Sequence, residues 1–289
     1  MSNTSTRSKM KASDRQAVMR RVVSQLQKRY GRSIPKSQRD VLHTLLFAIV
    51  LENSSHDAAE SAMEGLLASF HDLNEIRVSS IVEIEALLAG VPNPDWKALR
   101  IREALQYTFE KYYSFDLETL KRKTMDVAEK QLAKIAYLTP FARNYVLQHS
   151  LGSHVIPVDD ATRELVQWLG LAQVDADNEA AAEELKSAIR KQDAPLTCHL
   201  LHQLVSDRKY AGTFSIKGEE PDGATAVERL KQHLAHPPRT AKKKTVKKSR
   251  KRPPAKSTAT KRTRKKSSSG TVRKKVTKPK AAKTRRARR

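Results

Sequence analysis

The chain has 289 residues, a formal net charge of +25 and one cysteine, Cys198. A single cysteine excludes an intrachain disulfide and a cysteine-ligated metal cluster, and it is typical of a reducing, intracellular setting. The N-terminus lacks the apolar core of a secretory signal, so we expect no secretion. The longest apolar run, residues 41–51, is about half the ~20 residues that a membrane span needs, so we expect no membrane partner.

The excess charge lies at the C-terminal end. Residues 237–289 contain 25 Lys and Arg and no Asp or Glu, which leaves 31 basic and 31 acidic residues in positions 1–236. The same segment contains few apolar side chains. Burying them cannot offset the entropy of ordering the chain, so we predict that this tail is disordered. The alternative uses for such a tail are a localisation signal or a solubilising segment.

Basic side chains that neutralise phosphates release counterions, so we expect the tail to bind DNA or RNA. This would keep the protein with DNA, in the cytoplasm, the nucleoid or the nucleus. The tail's composition is similar to that of linker-histone tails. The residues that we expect to bind DNA phosphates include Lys242, Lys243, Lys244, Arg262, Arg264, Arg285 and Arg286.

Ahead of the tail, residues 13–236 read as an all-α domain, and residues 1–12 read as a disordered N-terminus. Ser13 is a typical helix cap, and the apolar residues that follow it recur on one helical face. Glycine and proline breakers separate the later helical patterns, and no stretch alternates as strands do. The predicted helices after the first cover about 37–52, 57–69, 80–88, 96–113, 127–134, 140–150, 160–169, 177–190 and 195–206.

Four stretches follow one another in a characteristic order: "VLHTLLFAIVLENSSHDAAESAMEGLLASF", "GVPNPDWKALRIREAL", "IAYLTPFARNYVLQHSLGSHVIPVDDATRELVQWLGL" and "CHLLHQLVSDRKYAG". This order resembles the helix-hairpin-helix superfamily of DNA glycosylases, which includes endonuclease III. The third stretch is the most specific, because hairpin, helix, glycine, "VIPVD" and new helix keep the family's spacing. The resemblance covers about residues 15–212. It implies a two-lobed helical fold with its hairpin at about 127–150, a double-stranded DNA partner and a monomer.

The resemblance implies that Asp159 assists cleavage of the bond between a base and its sugar. Loss of the base builds positive charge on the sugar, and a carboxylate stabilises that charge or activates the nucleophile. The base must first be flipped out of the stack into a pocket. Either Asp159 or Asp160 could instead serve only as a helix cap, and for Asp159 the two roles are compatible.

The sequence departs from the family at two catalytic positions. Family members that also cut the strand use a hairpin lysine, which matches Phe141 here, and a phenyl ring cannot form an imine. Lys134 is the nearest lysine in sequence. Adenine-specific relatives use an early glutamate, which matches Ala48. Glu52 could approach the same cleft or be a solvated charge at a helix end, and we expect it to form a DNA-contacting loop with Asn53 and Ser54.

The hairpin lacks the family's two glycines, whose backbone N–H groups contact a phosphate. The segment reads "AYLTPF", and positive φ angles are costly without glycine. Thr139 and Pro140 are nevertheless a typical helix start, with Thr139 as the cap and Pro140 at the first position. We therefore expect the N-terminus of this helix to keep one backbone contact with a phosphate.

We expect no metal and no cofactor. The family's first iron–sulfur ligand matches Ala211, and no later cysteine exists. Cys198 and His202 lie four residues apart in "CHLLH", but no second ligand pair supports a zinc site. We interpret Cys198, Trp96 and Trp168 as core residues.

Two functions are open at this point. The first is a monofunctional DNA glycosylase of base excision repair, which removes damaged or mispaired bases without strand cleavage. The second is a catalytically inactive, glycosylase-like protein that binds or compacts DNA. The retained "VIPVD" favours the enzyme, whereas Phe141, Ala48 and the missing hairpin glycines favour the binding protein.

Overall fold

A computed structural model describes residues 10–35, 38–216 and 221–236, which contain twelve α-helices and no strand. The prediction of an all-α fold is confirmed. The helices are α1 Ala12–Tyr30, α2 Val41–Leu51, α3 His56–Ser69, α4 Leu73–Val78, α5 Ile81–Leu87, α6 Pro94–Tyr112, α7 Met125–Leu132, α8 Pro140–His149, α9 Asp160–Trp168, α10 Asn178–Ala188, α11 Ala194–Ser206 and α12 Ala226–Ala235.

Some helix boundaries differ from the prediction. Helix α1 begins at Ala12 with Lys11 at the cap position, so Ser13 is not the cap and Ala12 is not disordered. Helix α2 begins at Val41 rather than near residue 37, because the Asp40 side chain accepts the His43 N–H and caps it. Helices α4 and α12 were not predicted. Helix α4 is six residues long and buries only Ile76, which is too little for a periodic pattern.

The helices pack around two separate apolar cores, which form the two lobes of the fold. Helices α2 to α8 build the first core, with α2 at its centre, because every residue of α2 except His43 is buried. Helices α9 to α12 build the second core, and α1 packs against α10, α11 and α12. The chain therefore begins in the second lobe, crosses to the first and returns.

The return crossing sets the position of the candidate site. Val155 packs against the first core, whereas Ile156 and Val158 are buried in the second core. Because successive side chains of an extended segment point to opposite sides, this short stretch contributes side chains to the cores of both lobes. Asp159 follows immediately and lies where the two lobes meet. The predicted disorder of the first nine residues and the predicted tail lie outside the described residues.

Candidate active site between the two lobes

Asp159 is fully buried, with 0% of its surface exposed, and it links the two lobes. It caps α9: its Oδ1 accepts the Thr162 N–H at 2.9 Å. Its Oδ2 accepts the Asn53 N–H, from the loop after α2, at 3.0 Å. The two N–H groups come from different lobes, so the carboxylate joins the start of α9 to the loop after α2.

The loop after α2 holds Asn53 in an unusual backbone conformation. Its φ of +56° lies in the left-handed region, which costs a residue other than glycine about 1 kcal/mol. The bend turns the Asn53 N–H towards Asp159, and the Asn53 side chain donates to Asp160 Oδ2 at 3.5 Å. Asp160 is exposed, so of the two adjacent aspartates only Asp159 faces the interior.

Lys97 lies beneath this loop and is 2% exposed. Its Nζ donates to Val50 O at 2.7 Å, to Glu52 O at 2.8 Å and to Ser54 Oγ at 2.7 Å. Burial lowers the pKa of Lys97 to about 8, although the charges of Glu52 and Asp159 oppose that shift. The three acceptors use all three protons of an ammonium group. Lys97 therefore holds the loop that presents the Asn53 N–H.

Glu52 is a buried member of the site, not a solvated charge at a helix end. It is 9% exposed, and its Oε2 accepts Arg100 Nη1 at 2.9 Å and Thr139 Oγ1 at 3.2 Å. Burial raises the pKa of Glu52, and the Arg100 guanidinium opposes the rise. The contacts of Glu52 join α2, α6 and the start of α8. Ala48, one turn earlier in α2, is fully buried and supplies no polar group.

The turn before α8 adopts a left-handed backbone conformation without glycine. Tyr137 has a φ of +60°, and Thr139 caps α8 by accepting the Ala142 N–H at 3.3 Å. Pro140 occupies the first helical position. Phe141 is 4% exposed and stacks on His202 of the other lobe, with ring centroids 6.4 Å apart.

His202 brings a second titratable group next to Asp159. Its Nε2 lies 3.7 Å from Asp159 Oδ2 and has no hydrogen-bond partner, although the side chain is buried. Burial lowers the pKa of His202, so the ring is neutral at pH 7, and burial likewise lowers the pKa of His199 to about 4. These rings border a cavity of about 20 Å³, which has room for about one water molecule. Its other lining residues include His56, Phe141, Tyr145, His149, Thr162 and Cys198.

Because His202 is buried and neutral, we expect acid to lower the free energy of unfolding. Because its pKa is lower in the folded chain than the ordinary value of about 6.5, the unfolded chain binds more protons below that pH. Stability is therefore complete above about pH 6.5 and is lost as the pH falls. His202→Phe keeps the stacked ring, so the difference in unfolding free energy between pH 7 and pH 5 should be smaller in this variant than in the wild type. Urea titrations at both pH values measure this.

The control for that experiment is His71→Phe, because His71 is exposed. It should leave the pH dependence of stability as in the wild type. An unchanged pH dependence in His202→Phe would contradict the role that we give to the buried imidazole.

Comparisons with known proteins bear on this two-lobed arrangement. No family model matches the sequence, and no curated protein matches it significantly. Solved structures do match: a non-covalent endonuclease III–DNA complex superposes with a TM-score of 0.53 at 16% identity, covering 76% of this chain and 99% of that chain. The chain has the fold of endonuclease III.

Two other solved structures share the endonuclease III fold with this chain. A thermostable thymine-DNA glycosylase gives a TM-score of 0.51 at 12% identity and covers 70% of this chain and 91% of its own. An 8-oxoguanine glycosylase/lyase of Clostridium acetobutylicum in complex with DNA gives 0.51 at 11% identity and covers 67% and 69%. At such identities the likeness establishes the fold alone.

Within the endonuclease III fold, several residues that the sequence singled out come together. Asp159, Glu52, Asn53, Ser54 and Thr139 form one hydrogen-bonded cluster around Lys97 and Arg100. Lys97 and Arg100 were not predicted as site residues, and His202 was considered only in a zinc motif that lacks a second ligand pair. Their roles depend on contacts between helices that lie far apart in sequence.

The interpretation of Trp96 as a core residue is wrong, since 49% of its surface is exposed. Trp168 packs against the second core, and Cys198 is buried, with burial raising its thiol pKa to about 12. No helix in the described part of the chain is long and apolar enough to cross a membrane. Residues 10–35, 38–216 and 221–236 contain no group of three or more His, Cys, Asp or Glu arranged to hold a metal ion. The seven basic residues named in the tail lie outside the described residues.

Proposed function

We propose that the protein is a monofunctional DNA glycosylase of base excision repair, acting on a damaged or mispaired base in double-stranded DNA. The observation that carries this proposal is the buried carboxylate of Asp159, at the head of a helix and between the two lobes of an endonuclease III fold. We further propose that residues 13–236 are the glycosylase domain and that residues 237–289 hold it on DNA.

The chemistry that we assign to Asp159 is stabilisation of a sugar that is losing its base. The nucleobase departs with the bonding electron pair, and the sugar carbon gains positive charge. Water then adds to that carbon, and a proton of the water passes to a nearby side chain that accepts it. The Asp159 carboxylate supplies the negative charge. The neutral His202, 3.7 Å away, can take up the proton of the water.

The positions of Phe141, Lys97 and Lys134 support a reaction that forms no imine with the sugar. Phe141 occupies the position that matches the strand-cleaving lysine, and it is buried under His202. Lys97 is close to Asp159, but three acceptors occupy its Nζ. Lys134 is exposed, in the turn between α7 and α8. These positions support base removal without strand cleavage.

A catalytically inactive DNA-binding protein is the second candidate, and one observation favours it. Both Asp159 oxygens accept backbone N–H groups, and the adjoining cavity of about 20 Å³ is too small for a nucleobase. In that case Asp159 only caps α9 and joins the lobes. For the enzyme, binding of DNA must open a space beside Asp159 that admits a nucleobase.

Base release distinguishes the two candidates. The full-length protein is incubated with duplexes that carry uracil, alkylated bases, oxidised bases or mismatches, and each sample is then split. One half is heated in alkali, which cuts at abasic sites, and the other half is left untreated. A monofunctional glycosylase gives strand breaks only after alkali. Breaks without alkali indicate lyase activity, and no breaks on any duplex favour the inactive binding protein.

The tail should dominate the salt dependence of DNA binding. If six of its 25 positive charges engage phosphates, affinity for a plain duplex should fall by about 10³ between 50 and 200 mM salt. A chain that ends at residue 236 should lose most of this slope. A full-length variant with the seven named tail residues changed to Gln is the matched control for length, and its slope should lie between the other two. Equal slopes in all three would refute the tail as the main anchor.

A further inference from the structure

Two aromatic side chains lie exposed and in contact on the surface of the first lobe. Trp96 is 49% exposed and Tyr137 is 59% exposed. Their ring centroids are 6.2 Å apart, and the ring planes meet at 63°. Trp96 comes from the first turn of α6, and Tyr137 comes from the turn before α8. Exposing two large aromatic rings gives up the burial energy of each, which a packed core would recover.

The backbone around the pair is held in costly conformations. Tyr137 has a φ of +60°, and Asn93, the cap residue of α6, has a φ of +51°. The Arg100 Nε donates to Tyr137 O at 3.1 Å, and the Nη1 of the same guanidinium donates to Glu52. Arg100 therefore holds the Tyr137 backbone in the left-handed region, and such strain is typical of functional sites.

The same contacts connect the pair to the candidate site. Tyr137 lies two residues before Thr139, whose hydroxyl donates to Glu52, and Glu52 precedes the Asn53 that donates to Asp159. The first turn of α8, which follows the pair, contains no acidic residue of its own, and the Glu52 carboxylate that accepts the Thr139 hydroxyl lies at its start. The first turn of α6 contains Asp95. Exposed aromatic rings beside this site complement the flat faces of nucleic-acid bases.

We propose that Trp96 and Tyr137 form a stacking surface for an unpaired base of double-stranded DNA, next to the site of base release. This proposal rests on the DNA partner of the proposed function. A paired base inside a duplex has both faces covered by its neighbours, so an exposed ring can stack only on a base that has left the helix. The pair therefore favours bulged, mismatched or base-flipped DNA over intact duplex.

Trp96 itself is the reporter for this proposal, because the chain has two tryptophans. In full-length Trp168→Phe, Trp96 is the remaining indole, and a stacked base quenches its fluorescence. Titration with a duplex that carries a one-base bulge should quench this emission, whereas the same duplex without the bulge should not. Equal quenching by both duplexes, or none by either, would overturn the proposal.

Affinity for the bulged duplex gives a second measurement. Tyr137→Asn removes the ring but keeps a residue that adopts positive φ readily. Tyr113→Asn is its matched control, because Tyr113 is 83% exposed and has a φ of +52°. Tyr113 follows the last residue of α6, about 25 Å along the helix from Trp96. Trp96→Ala and Tyr137→Asn should each weaken binding of bulged DNA about 10-fold and leave the salt dependence unchanged, whereas Tyr113→Asn should have no effect.

The outcomes separate this proposal from the proposed function. If the protein prefers bulged DNA but releases no base, the stacking surface is supported and only the glycosylase proposal is contradicted. Base release with unchanged bulge affinity in both Trp96→Ala and Tyr137→Asn overturns the stacking surface and leaves the glycosylase standing. Equal losses in Tyr137→Asn and Tyr113→Asn also overturn it.

Discussion

Asp159→Asn should lower the rate of base release by about 10²- to 10⁴-fold on whichever substrate the wild type accepts. The substitution removes the negative charge that opposes the cationic sugar and leaves the size of the side chain unchanged. Asparagine caps helices as well as aspartate does, so α9 keeps its first hydrogen bond from the Thr162 N–H. Single-turnover kinetics with alkali treatment measure the effect on chemistry.

The same substitution also disturbs the link between the lobes, and this must be measured separately. An amide that caps α9 with its oxygen turns its NH₂ group towards the Asn53 N–H, which then loses its acceptor. One unsatisfied buried donor costs about 1–3 kcal/mol. Urea unfolding should show that loss, and the kinetics are then run under conditions in which the variant is folded.

Asp160→Asn is the matched control, because Asp160 is adjacent, exposed and also hydrogen-bonded to Asn53. It should keep base release within a few fold of the wild type. If Asp159→Asn releases bases as fast as the wild type, Asp159 has only its capping and linking role. If both variants lose activity equally, a change in the Asn53 loop explains the loss instead of the missing charge.

The helices and the position of Asp159 could be predicted because their causes are local. A cap residue, a proline at the first position and an apolar face all act within one or two turns, as Thr139 and Pro140 illustrate. "VIPVD" places an aspartate at a helix start whatever the rest of the chain does. The resemblance to endonuclease III predicted the two lobes, although the chain is only 16% identical to the endonuclease III structure.

The surroundings of Asp159 could not be predicted, because they depend on contacts between distant segments. The partner that Asp159 Oδ2 binds, Asn53, is 106 positions away, and the polar partners of Lys97 are more than 40 positions away. Nothing in "DWKAL" distinguishes a lysine that will be buried from one on a solvated helix face. The left-handed Tyr137 was also unexpected, since the absence of glycine argued against positive φ, yet Arg100 holds it there.

Lys97→Met should destabilise the fold by about 3 kcal/mol, because it removes one charge from a buried group of ions and leaves its partners unpaired. Methionine has a similar length and fits the same space, so packing is kept. Val50 O, Glu52 O and Ser54 Oγ lose their donor, and the buried Glu52 and Asp159 carboxylates lose a nearby positive charge. The melting temperature should fall by about 6–12 °C.

Lys111→Met is the matched control for that substitution, since Lys111 lies on the same helix and is exposed. Its cost should be within about 0.5 kcal/mol. Similar losses in the two variants would contradict the buried role of Lys97.

The pH dependence of stability isolates the charge of Lys97 from its packing. Burial lowers the pKa of Lys97 to about 8, whereas lysine in an unfolded chain titrates near 10.4. Between these values the unfolded chain binds more protons than the folded one, so this group makes stability rise with pH from about 8 to about 10.4. Lys97→Met should lack that rise. Subtracting the unfolding free energy of the variant from that of the wild type at each pH removes the contributions of the other titrating groups. A parallel pH dependence in both proteins would mean that Lys97 is solvated, and the Asn53 loop would then need another support.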